Sequence, residues 1–355
     1  MNDSPTPSSG KPPAGPGDAS LFGVTYYALP ERSGPPRLYV VVDTEAEFDW
    51  SKPFARHLVS VSNVAAQEGG QAVLERHGVR PIYVIDYPVA TQPDAIEALG
   101  AIHRRGACEI GAHLHPWTNP PFTEAVSALN SYPGNLSPEV EEAKLVNLLD
   151  AIERSFGFRP LFYKAGRYGI GPNTLALIGR HGIQVDFSIL PGIDLRSEGG
   201  PDLRALSAVP YVAGDPPVVS VPMSRGHTGP LAPLGVKMNR VFGNKLARAL
   251  RLRGVASRLG AFRTASLTPE GVSTQDLTRL ATALVRSGHK TLVMHYHSPS
   301  LAAGHTPYVR TQTEVAELLA RIDAVCAHVL GPLGGVAGNP RDLLAADGRG
   351  VDRPA

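Results

Sequence analysis

Cysteine is scarce in this chain: two among 355 residues, Cys108 and Cys326. That excludes a disulfide framework and suits a reducing compartment. An excess of one charge is also missing, since 34 basic and 32 acidic residues leave a formal net charge of +2. A balance this close gives no reason to expect a nucleic-acid partner. No apolar run approaches the length of a membrane span. None stands behind a basic start, as an export signal requires, so the expected setting is the cytoplasm. What is present is a globular balance, 43% hydrophobic and 19% charged. A chain of this length can bury a sizeable core without metal or disulfide staples.

Glycine and proline are plentiful, at 37 and 33 residues. The first stretch, MNDSPTPSSGKPPAGPGDAS, is rich in both and predicts a disordered tail over 1–20. Residues 336–355 read as a second, loose tail, leaving an ordered body over 21–335. Within it, apolar β-branched runs at 38–42, 79–85, 108–112, 160–164, 183–188, 218–221 and 291–294 predict strands. Helical spacing at 62–77, 93–104, 137–156, 172–181, 275–287 and 312–330 falls between them. Ser137-Pro138-Glu139 is a helix start, with a capping residue and then proline at the first helical position. The alternation predicts an α/β fold with a parallel sheet of about seven (β/α) units.

In such a fold the functional groups gather at the carboxyl ends of strands, and the polar residues follow that rule. Asp43 and Glu45 follow the first strand, two residues apart, so both carboxylates can face one pocket. His113 and His115 repeat that spacing after the third strand. Two imidazoles and a carboxylate suit a divalent transition metal and leave coordination positions open. Arg167 and Tyr168 follow the fourth strand, Asp86 the second, and His295 and His297 the seventh. Each alone is equally a solvated loop, but together they place a carboxylate pair, a histidine pair, an arginine and a histidine at one end of the sheet. Trp117 lies in the long loop 116–136, where a ring can stack on a sugar face. The segment 237–263 is basic, with Leu246, Leu250 and Leu252 interleaved. It reads as a helical insertion that could meet an anionic membrane surface or a phosphate-bearing substrate.

The order of these segments resembles the polysaccharide deacetylases with a NodB homology domain, the family 4 carbohydrate esterases. The likeness is nearest to their WalW-like branch, through VDTE and FDW in Val42–Trp50, EIGAHLHPW in Glu109–Trp117, GRYG in Gly166–Gly169 and HSPSL in His297–Leu301. It implies a partly closed seven-unit (β/α) barrel and metal-dependent removal of acetyl groups from a saccharide in polysaccharide or envelope biosynthesis. It implies Glu45, His113 and His115 as ligands of a divalent metal, zinc first and cobalt, manganese or nickel as alternatives. Asp43 becomes the base, oriented by Arg167. His297 becomes the acid, supported by Asp194 in preference to Asp186. The Tyr168 backbone N–H meets the oxyanion. The histidines stand two apart where the family has four, which keeps a non-catalytic saccharide-binding relative in play. An amidohydrolase barrel also uses H-x-H, though after its first strand.

Overall fold

A computed structural model describes residues 26–29, 33–231 and 261–344. The expected tail 1–20, residues 237–260 of the basic insertion and residues 345–355 lie outside the described residues. In chain order the strands are β1 (Tyr26–Ala28), β2 (Arg37–Thr44), β3 (Ile82–Ile85), β4 (Glu109–Leu114), β5 (Phe162–Ala165) and β6 (Val185–Asp186). They continue as β7 (Tyr211–Ala213), β8 (Val218–Ser220), β9 (Arg225–Thr228), β10 (Arg263–Ser266), β11 (Thr291–His297) and β12 (Val336–Ala337). The helices are α1 (Gln67–Arg76), α2 (Tyr87–Thr91), α3 (Pro93–Arg104), α4 (Pro138–Phe156), α5 (Thr174–Arg180), α6 (Thr274–Arg286) and α7 (Gln312–Leu330).

The main sheet runs β1-β7-β8-β6-β5-β4-β3-β2-β11, with β12 beside the start of β2. From β8 to β11 all pairs are parallel, while β7 and β1 add an antiparallel edge. The seven expected strands are thus all present, from β2 to β11. The sheet curls into a half-barrel whose open side is bridged by irregular backbone. Met223 N donates to Ile189 O at 2.8 Å, Ser224 N to Val293 O at 3.2 Å and His295 N to Leu267 O at 3.1 Å.

Strand period decides what faces where. On β2, Leu38, Val40 and Val42 pack in the large cluster with the helices, and Tyr39 and Val41 pack in a second cluster inside the curl. Continuing the inner row by twos along β2 leads to Asp43. The inner rows Ile82-Val84, Phe162 and Val293 likewise lead to Asp86, Lys164 and His295 with His297. The inside of the barrel is therefore apolar at one end and charged at the other.

Local signals set the helix ends. Ser137 accepts from Val140 N and caps α4, which stops at Gly157 with φ +83°. Thr311 and Glu314 form a reciprocal capping box at the start of α7. The expectation of a loose tail from 336 fails for its first nine residues. β12 pairs with β2, Leu343 is buried, and Arg341 donates to Glu109 at 2.8 Å, so strand pairing and burial hold this stretch. No helix among the described residues is long and apolar enough to cross a membrane.

Candidate active site

Glu45, His113 and His115 offer three ligand atoms within 4.8 Å of one another, all on buried residues. His113 Nε2 lies 3.4 Å and His115 Nε2 3.3 Å from Glu45 Oε2. The hydrogen bonds say what belongs between them. His113 Nδ1 is 2.9 Å from the Lys164 carbonyl, which can only accept, so the proton sits on Nδ1. Burial above all pushes the imidazole pKa down, so the ring is neutral and its Nε2 carries a lone pair. That lone pair faces a carboxylate oxygen. Two lone pairs this close suit a shared cation, and nitrogen with oxygen donors suit a divalent transition metal. Glu45 Oε1 and Asp43 Oδ1 are buried with no hydrogen-bond partner, as donor atoms suited to a metal would be.

The outer partners fit the same reading. Asp86 faces His115 Nδ1 at 3.5 Å and is itself fixed by Ala46 N at 2.8 Å and Val89 N at 3.1 Å. A carboxylate behind a ligating imidazole orients it and raises its basicity. Gly166 is needed beside this pair, because a Cβ there would stand 2.4 Å from His115 Cδ2.

Asp43 lies in register with His297 across β2 and β11. Its Oδ2 is 4.0 Å from His113 Nε2 and 3.6 Å from His297 Nε2, and it accepts a hydrogen bond from the buried Lys164 ammonium. Burial alone would raise this carboxyl. Lys164, then His113 and His297, hold it well below the usual carboxylate range. His297 shows the reverse sign. Burial alone would lower it, but Glu270 at 2.8 Å from Nδ1, with Glu45 and Asp43, pushes it up to about 9. At neutral pH these shifts favour a carboxylate at Asp43 facing an imidazolium at His297. His295 is pushed down to about 3 by burial and then by Lys164, so it is neutral and no proton donor.

Three expectations are corrected by this geometry. Arg167 does not reach Asp43. Its φ of +57°, followed by +56° at Tyr168, turns the side chain outward onto Tyr132, 4.1 Å away, with Glu198 at 2.7 Å and Ser131 at 2.6 Å. The cation on Asp43 is Lys164, on the inner face of β5. Asp194 does not support His297. It lies in a surface loop with Arg196 and Arg204, and Glu270 takes its place by accepting from His297 N, His297 Nδ1 and Ser300 Oγ. Trp117 is 2% exposed and stacks on His115 at 4.3 Å, so its ring steadies that imidazole instead of meeting solvent. Tyr168 lies under the Lys164 ammonium, 4.6 Å from it. Two signals were available for the missed residues. Lys164 continues the inner row from Phe162 by two, and Glu270 precedes the helix whose capping residue is Ser273.

No protein-family model matches this sequence. No curated relative matches it either. Solved structures do. A Mycobacterium smegmatis protein named for the polysaccharide deacetylases superposes with a TM-score of 0.51 at 15% identity, over 94% of this chain and 99% of that one. The 4-alpha-glucanotransferase of Thermococcus litoralis reaches 0.50 at 12% identity, over 88% of this chain and 40% of its own. The family 4 carbohydrate esterase of Streptomyces lividans, in complex with acetate, gives 0.40 at 12% identity, over 86% and 92%. At such identities the likeness is one of fold, and a fold that also carries a glucanotransferase does not choose the reaction. The chain has the curled, half-closed α/β barrel fold of the deacetylase-type neighbours.

Proposed function

We propose that this chain is a metal-dependent hydrolase that removes acetyl groups from an N-acetylated saccharide. The observation that carries the reading is Asp43 3.6 Å from His297 beside the buried Glu45–His113–His115 trio, with Lys164 holding the carboxyl down and Glu270 pushing the imidazole up. Those three residues would hold one divalent metal, zinc by donor set with cobalt, manganese or nickel as alternatives, which when bound polarises the acetyl carbonyl and makes water more acidic. Asp43, held by Lys164, takes the proton of the attacking water. We assign the Tyr168 backbone N–H to the developing oxyanion. His297 protonates the departing amine, and Glu270 keeps it charged and oriented until it does. An acid and a base held in opposite protonation states argue for catalysis over mere saccharide binding.

The finer placement in the WalW-like branch rests on the four sequence segments. The cytoplasmic setting rests on the two free, buried cysteines. A role for 237–263 at an anionic lipid surface or a phosphate-bearing substrate rests on its charge, and salt should weaken any such binding.

The test joins metal content to acetate release. The native protein should carry metal and release acetate from an N-acetylated glycoside. The His113→Ala, His115→Ala variant should lose both. Asp43→Asn and His297→Ala should lower the rate by about 10²–10⁴-fold, the usual worth of a positioned base or acid. Equal metal content in native and double variant overturns the ligand assignment. Rates within about threefold of native, well short of that range, overturn the acid–base roles.

A further inference from the structure

The groups that would do the chemistry are nearly sealed. Asp43, Glu45, His113 and His115 are each 3% exposed or less, while the His297 side chain keeps 19%. The cover is the segment 46–61, between the end of β2 and the turn before α1. Its aromatic rings reach from one rim of the site to the other. On the first rim Phe54 lies 4.4 Å from Trp117, and Phe48 stands edge-on to Trp117 at 5.7 Å and to His115 at 6.1 Å. On the second rim Trp50 stands edge-on to His297 at 4.9 Å and to Tyr308 at 5.7 Å. Between these anchors Phe48 and Trp50 stack on each other at 5.6 Å, only 6° from parallel.

The segment is also tied to the body of the barrel. Arg56 donates to Glu124 O, and Gln92 to Val59 O, both at 2.5 Å. Glu47 accepts from Ser60 at 2.7 Å, and from Ser62 and Asn63 N at 2.6 Å, which pins both ends of the segment together. A bonded aromatic span of this kind is a roof.

The large aromatic surface left open beside the acid belongs to Trp50, 36% exposed, and Tyr308, 40% exposed. A row of sugars lying across the centre would have to pass through Phe48 and Trp50. One ring entering beside His297 meets Trp50 and Tyr308, broad apolar surfaces with polar tips that suit a pyranose. We infer that segment 46–61 restricts this site to an acetylated sugar presented end-on, as a small glycoside or the terminal ring of a chain, and shuts out rings within a polymer. The reaction at that ring rests on the deacetylase reading above, but the selection by shape does not.

Binding and reaction are therefore read separately. The chain has two tryptophans, and Trp117 is buried, so a ligand at the mouth reports through Trp50. The methyl glycoside of an N-acetylated hexosamine should change tryptophan emission saturably, and Trp50→Phe should abolish the change. The native protein should not sediment with an insoluble polymer of the same sugar, and Phe48→Ala should gain retention. From an N-acetylated hexasaccharide the native protein should remove acetyl from a terminal ring only. Retention of native protein on the polymer, removal from interior rings, or no response to the glycoside overturns the inference. Saturable glycoside binding and no polymer retention, with no acetate released from any substrate, upholds the roof and sinks the deacetylase reading instead.

Discussion

Asp43 and Asp194 each lie beside a cation, and both carboxyls are held well below the usual carboxylate range. Their surroundings differ. Asp194 accepts two hydrogen bonds from the Arg196 guanidinium, each at 2.9 Å, and one from Arg196 N at 3.2 Å, with Arg204 at 3.5 Å, and these side chains are 34–60% exposed. Water competes for every one of those contacts, and salt screens them. Asp43 and Lys164 have side chains 4% and 1% exposed. There neither partner can turn to water, so Lys164 relies on Asp43 for its counter-charge, and Asp43 relies on Lys164 before the imidazoles at 3.6 and 4.0 Å. The same letters of sequence, a carboxylate and a base, thus make a loop ornament in one place and a constraint on the whole barrel end in the other.

The sharpest test of that contrast is Lys164→Met, which keeps the length of the side chain and removes the charge. Breaking one half of a buried pair typically costs about 3–5 kcal/mol, because the other charge is stranded. Urea unfolding of Lys164→Met should show a loss of that order, and acetate release should collapse with it. Adding Asp43→Asn to the same chain removes the stranded charge and should recover most of the stability, though not the activity. If Lys164→Met unfolds with the native protein, or if the second change recovers nothing, the pair does not hold this end of the barrel.

Glu141 supplies an intermediate case, a carboxylate buried with no cation beside it. It sits in the first turn of α4 and accepts a hydrogen bond from the Thr174 hydroxyl, while its second oxygen has no partner. Burial pushes its pKa up from 4.5 to about 7. The folded chain therefore keeps a proton that the unfolded chain gives up between those values. Stability from this group is greatest below pH 4.5, falls as pH rises toward 7 and is level above it. The slope is at most about 1.4 kcal/mol per pH unit. Glu141→Gln keeps an acceptor for Thr174 and has no proton to lose. It should match the native protein near pH 4 and exceed it at pH 8 in urea midpoint. Parallel curves for the two proteins across that range would show that Glu141 ionises freely in the folded chain.

The same contrast explains what was legible in the sequence. The seven parallel strands and the strand-end residues Asp43, Glu45, His113, His115 and His297 were readable because strand period and strand ends are local properties. The partners of those residues were not. Arg167 looked like the cation for Asp43, and nothing in GRYG announces two successive left-handed residues that swing its side chain away. Asp194 looked like the support for His297, but burial separates it from Glu270, and burial is a property of the fold. Trp117 and Trp50 are each aromatic in a loop, and only packing shows that the first is sealed on His115 and the second opens to solvent. The β9–β10 hairpin joins strands whose pairing, Arg225 with Ser266 and Thr228 with Arg263, spans a long insertion. The strand β12 is two residues long and has no period to read.

The smallest expected effect belongs to Asp194→Asn. The side chain would lose its charge, but Arg204 keeps Asp202 at 2.6 Å and Arg196 keeps the same carboxylate at 3.6 Å, so no arginine is left without a counter-ion. The loop itself is joined by a backbone bridge between Asp194 and Asp202 that the change does not touch. Thermal melting and the pH profile of acetate release should both superpose on those of the native protein. Glu270→Gln is the matched change at the other end of the comparison. It removes the charge that holds His297 at about 9, so the imidazole should fall back toward its ordinary 6.5. If His297 is the acid, the alkaline limb of the rate profile then moves to lower pH. A shift of that limb in Asp194→Asn, with none in Glu270→Gln, would return the supporting role to Asp194 and break the comparison.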